Sequence, residues 1–166
     1  MRKGICSHMA TSNSQLFLGI RTSPQQTRFA IVEREDSTCT LLNASSESLI
    51  QRPAGFEEHD PEYANWLFDE ITRLLRQHPV EHVALKLPEF TRAAPTKSTR
   101  LRNYLDAAVM IAATKSNIPI STKLYTQMAT SSQKVKNDAQ ARVGQTAAHW
   151  DGEIADAIVA AWSLER

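Results

Sequence analysis

Apolar and polar residues change rhythm several times along this chain, and each change marks an element. Residues 15–22 and 27–34 are apolar-rich and joined by "SPQQ", where Ser23 and Pro24 are turn formers. "STCTLLN", 37–43, alternates as a third strand reached through the acidic turn "EREDS". These three segments predict an antiparallel meander. Residues 44–59 lack a period and carry Pro53 and Gly55, which predicts a loop.

Helical spacing starts after Asp60-Pro61, a cap followed by proline at the first helical position. Leu67, Ile71, Leu74 and Leu75 make the apolar stripe, and Pro79 stops the helix by Gln77 or His78. "VEHVALKL", 80–87, reads as a strand ended by Pro88, and 89–98 as a loop too polar to pack. A second helix runs from Ser98 or Thr99 to about Lys115, with Leu101, Leu105, Ala108 and Ala112 inward and Tyr104 and Ile111 widening the stripe. "IPISTKLY", 118–125, is the last predicted strand, and 126–147 is polar and mixed. Asp151 caps a final helix through Leu164, with Ile154, Ala157, Ile158, Ala161 and Trp162 inward.

The order β-β-β-α-β-α-β-α implies an α/β sandwich of three layers. Its mixed five-stranded sheet has three antiparallel strands, then parallel strands with helices on both faces. The length of 166 residues suits one domain, expected over 15–166, with 1–14 a disordered tail or tag remnant. Apolar residues at 42% and charged residues at 22% are ordinary for a globular chain. No apolar run is long enough to span a membrane, and Cys6 and Cys39 lack metal-ligand neighbours, so a reduced cytoplasmic protein is expected. The histidines are scattered, without zinc spacing.

Charge changes the picture more than composition does. The formal net charge is +1, yet residues 33–89 carry five basic and twelve acidic groups, and residues 92–142 carry nine basic groups against Asp106 and Asp138. The basic half suits a polyanion. Lys97, Arg100 and Arg102 stand near the start of the second helix, while Lys134, Lys136 and Arg142 flank the later polar stretch. Tyr104 and Tyr125 are the only aromatics among them, so contact with a duplex or junction backbone fits better than base stacking.

Three stretches resemble the ribonuclease H-like superfamily, in particular the RuvC-type Holliday-junction resolvases. "FLGIRTSPQQTRFAIVE" is similar to that group's opening hairpin, "HVALKLPEF" to its fourth strand, and "DGEIADAIVAAW" to its last helix. The resemblance implies the superfamily's fold and a pair of divalent metals bound by converging carboxylates, which activate water for phosphodiester cleavage. The expected acids are missing from two places. Arg21 stands at the first, and Lys86, or its neighbour Leu87, at the second. Only Glu153 and Asp156, on one face of the last helix with Asp151 a turn earlier, match the pattern. A guanidinium and an ammonium repel Mg²⁺, and arginine keeps its proton at any working pH.

Three functions stay open at this point. The first is a catalytically inactive RuvC-like domain that binds nucleic acid, DNA before RNA, or serves as an assembly module for a nucleic-acid enzyme. It needs no cofactor, and its exposed helices could support a homodimer. The second is an active Mg²⁺-dependent endonuclease whose carboxylates have moved. The third is a protein-interaction domain with no nucleic acid. In the first, Arg21 and Lys86 are expected to pair with Glu153 and Asp156.

Overall fold

A computed structural model describes residues 13–164. The tail expected over 1–14, Cys6 included, lies outside the described residues except for its last two positions. Strand β1, Ser14–Thr22, pairs antiparallel with β2, Gln26–Glu35, in register from Ser14 opposite Glu35 to Thr22 opposite Thr27. Ser23 and Gln26 close the turn through backbone hydrogen bonds. Strand β3, Thr38–Leu41, pairs with the Val32–Glu35 end of β2.

The predicted loop over 44–59 contains one further strand, β4, Leu49–Gln51, so the sheet has six strands instead of five. Three residues are too short to display a period of two. Ile50 alone turns inward, and β4 pairs with Gln26–Arg28, the part of β2 that β3 leaves open. Strands β5, His82–Lys86, and β6, Ile120–Lys123, extend the other side of β1 in parallel. The helices are α1, Asp60–Gln77; α2, Lys97–Lys115; α3, Val135–Arg142; and α4, Gly152–Trp162. The mixed stretch 126–147 resolves into the end of a 3-10 turn, Tyr125–Met128, followed by α3.

Each face of the sheet carries its own core. Leu18, Ile20, Phe29, Ile31, Val83 and Leu85 pack beneath α1 and α2. Phe17, Ala30, Val32 and Ala84 pack beneath α4, with Met128, Val135 and Ala139 behind it. Gly19 is what lets α4 lie so close to β1. A Cβ at that position would stand 1.8 Å from the carbonyl oxygen of Ala157. No helix among the described residues is long and apolar enough to cross a membrane.

Candidate functional site

Strands β1, β5 and β6 run parallel, so their carboxyl ends share one edge of the sheet, where open α/β folds place their ligands. The period of two decides which side chains meet there. Phe17, Gly19 and Arg21 face α4, as do Ala84 and Lys86, whereas Leu18, Ile20 and Thr22 face α2. Helix α4 starts at this edge because the Asp151 carboxylate caps it, accepting from the Ile154 N–H at 2.9 Å. That fixes Glu153 and Asp156 one turn further along, opposite β1.

The result is a charged network in which Asp106 Oδ2 and Arg102 Nε are buried without a hydrogen-bond partner. Arg21 Nε donates to Asp156 Oδ2 at 3.1 Å, and Tyr125 Oη donates to Asp156 Oδ1 at 2.9 Å. Lys86 Nζ lies 4.0 Å from the centroid of the Tyr125 ring and donates to Glu89 Oε1 at 2.8 Å and to the Leu87 carbonyl at 2.6 Å. Glu89 Oε1 also accepts from the Tyr125 backbone N–H at 2.9 Å. On the α2 side, Thr22 Oγ1 donates to Asp106, and Arg102 Nη2 donates to the Lys86 carbonyl at 3.2 Å. Glu153 accepts from Gln26 Nε2 at 3.0 Å, and Asp151 pairs with buried Arg28 at 2.5 Å.

Two details depart from expectation. Arg21 does reach the last helix, but Lys86 pairs with Glu89 and not with Glu153 or Asp156. The Tyr125 ring fills the space between Lys86 and Asp156, and the turn after Pro88 brings Glu89 back over the strand end. Asp106 is the second departure: a charge count shows it only as one of two acids in a basic stretch, yet it belongs to the network. A signal for it exists in the pattern. It lies between Leu105 and Val109 on the inward side of α2, four residues from Arg102.

Burial sets the ionisation of these groups. It pushes the Asp106 carboxyl up to about 6, against the Thr22 hydroxyl and the charges of Arg102, Arg21 and Lys86. Burial also raises Asp156, outweighing Arg21 and the Tyr125 hydroxyl. Arg102 is lowered to about 10 by burial and by the neighbouring Arg21 charge. For Glu89 burial acts upward, but the Lys86 ammonium and the Tyr125 amide together hold it below its ordinary value.

A pair of divalent ions needs several carboxylates converging with free oxygens. Here both Asp156 oxygens are engaged, Glu89 faces an ammonium, and Asp106 gives one oxygen to Thr22, leaving only its buried Oδ2 without a partner. Among the described residues no group of three or more His, Cys, Asp or Glu is arranged to hold a metal ion. The donor set does not fit the pair that the resemblance implies.

The cations expected to meet nucleic acid are divided. Lys97, Arg100, Lys134 and Lys136 are exposed. Lys97 pairs with Glu58 at 2.6 Å, and Lys136 lies 5.8 Å from the Trp150 ring centroid. Arg102 is turned into the sheet end. Arg142 donates to the Met128 and Ala129 carbonyls, with its guanidinium 4.2 Å from the Trp162 ring centroid.

No family model matches this sequence, and no curated protein matches it. Solved structures do resemble the fold. RuvC of Thermus thermophilus in complex with a Holliday-junction substrate superposes with a TM-score of 0.73 at 18% identity, over 90% of this chain and 92% of that one. A second structure of Thermus thermophilus RuvC gives 0.70 at 16% identity over the same shares. The yeast mitochondrial Holliday junction resolvase Ydc2 gives 0.60 at 18%, over 90% of this chain and 77% of that one. The chain has the RuvC-like ribonuclease H fold.

Proposed function

We propose that this chain is a RuvC-like domain that binds the phosphate backbone of duplex or branched DNA and has lost phosphodiester cleavage. The observation that carries this reading is the pair of cations at the ends of β1 and β5. Arg21 and Lys86 stand where the resemblance expects metal-binding acids, and Asp156 and Glu89 are engaged by them. Exposed Lys97, Arg100, Lys134 and Lys136 supply positive charge for phosphates. Base stacking has less support, since the Tyr125 ring is held between Lys86 and Asp156. A homodimer accompanies this reading. Tyr104 and Ile111, each about half exposed on the outer side of α2, offer an apolar stripe for self-association.

Fluorescence anisotropy with a four-way junction, a linear duplex and a single strand of matched length tests the reading. Junction and duplex are expected to bind more tightly than the single strand. Affinity should fall steeply with salt and should not change with EDTA. Absence of binding to all three at low salt would leave the protein-interaction reading instead.

A further inference from the structure

We propose that Lys86 is the resident cation of this sheet end: its ammonium, tethered to β5, holds the Leu87 carbonyl and the Glu89 carboxylate and so fixes the start of the loop over 87–96 without metal. The side chain is fully buried, with 2% of it exposed, and its charge is answered on three sides. The Leu87 carbonyl at 2.6 Å and the Glu89 carboxylate at 2.8 Å are oxygen ligands, and the Tyr125 ring at 4.0 Å closes a third side through its π face. A carboxylate and a carbonyl are oxygen ligands of the kind a hard cation collects, and the π face is a partner an ammonium takes in addition. Lysine delivers that charge as a compact point on a flexible stem, and no metal is required.

This arrangement has a mechanical result. Residues 87–96 contain no helix or strand, yet their first three residues are tied down. The Leu87 N–H donates to the Lys123 carbonyl at 3.0 Å, the Lys86 carbonyl accepts from Arg102, and the Glu89 carboxylate joins Lys86 to the Tyr125 amide. Removing the ammonium takes away the ion-pair partner of Glu89 and leaves it only the Tyr125 amide and the more distant Arg102 charge, so the start of the loop loses its anchor. The same loop carries exposed Arg92 and leads directly into Lys97 and Arg100. Lys86 is therefore a positioning residue for cations that meet phosphate while touching none itself. This last step rests on the DNA-binding reading above.

Amide hydrogen exchange tests the anchor separately from DNA binding. In the full chain, protection of the Leu87 and Tyr125 amides, the hydrogen-bonded ones at this anchor, is expected to be equal in EDTA and in millimolar Mg²⁺. Lys86→Ala should speed exchange there about tenfold or more. n-Propylammonium, which replaces the missing atoms and charge, should restore protection, and neutral n-propanol should not. Lys86→Met serves where the alanine variant does not fold, and should show the same local loss with the core helices still protected. Wild-type protection that rises with Mg²⁺ overturns the proposal, as does a Lys86→Met variant with unchanged local exchange. Duplex affinity should fall about tenfold in Lys86→Met with an unchanged salt slope, since no phosphate partner is removed. If the wild type binds no DNA, the DNA reading fails while the exchange data still decide the anchor.

Discussion

Two sets of cations in this molecule are chemically alike and physically opposite. Arg21, Lys86 and Arg102 crowd the carboxyl ends of β1 and β5, largely removed from water and facing Asp156, Glu89 and Asp106. Lys97, Arg100, Lys134 and Lys136 stand in solvent on α2 and at the start of α3. At the sheet end Arg21 and Lys86 are committed to Asp156 and Glu89, and removing Arg21 strands Asp156 in a low-dielectric setting. On the surface a charge costs little, contributes little to folding and remains available to a polyanion. A basic sequence therefore predicts DNA contact only where its cations lack buried partners.

The largest contrast lies in stability. Arg21→Ala leaves Asp156 buried and unpaired, and should lower unfolding stability by about 3–5 kcal/mol. Lys136→Ala should change it by less than about 0.5 kcal/mol. Equal losses on urea denaturation of the two variants would erase the distinction between the two sets.

Next comes pH. The Asp106 carboxyl titrates near 6 when folded and near 3.8 ordinarily, so the folded chain holds the proton more tightly. Its contribution to stability is therefore fully favourable below about 4 and falls as pH rises towards 6, by about 3 kcal/mol in all. Thermal melts of Asp106→Asn should lose most of that slope. A shallow slope remains from Asp156, which burial raises as well. An unaltered slope in Asp106→Asn would show that the sheet end is not the origin of the effect.

The smallest effect on folding is the largest on binding. Replacing Lys97, Arg100 and Lys136 together by alanine should leave the melting curve in place. The slope of log affinity against log salt should fall by roughly 0.9 for each phosphate that is no longer neutralised. An unchanged slope would remove those cations from the interface.

Much of the fold is legible in the sequence because its signals are local and strong. The hairpin turn, Pro61, Pro79, Pro88 and the Asp151 cap each mark a boundary by their own chemistry, and the two periods assign the faces. Strand β4 is hidden because its cause is the open edge of β2, a property of another segment. At the sheet end, the resemblance names Arg21, Lys86, Glu153 and Asp156 as a set, and of these the structure pairs Arg21 with Asp156. The partner of Lys86 is not legible in the sequence, because Glu89 returns only after the turn at Pro88, and Tyr125 arrives from the end of β6. Arg102 and Arg142 look like surface cations, since a one-dimensional charge count cannot tell an inward arginine from an outward one.

On the proposed reading, this sheet end binds no catalytic metal pair while the domain still grips DNA. A labelled four-way junction incubated with the full chain in Mn²⁺, then run on native and denaturing gels in parallel, addresses both halves at once. A shifted complex is expected on the native gel and full-length strands on the denaturing gel. Cut strands that disappear in Asp156→Asn would contradict the claim.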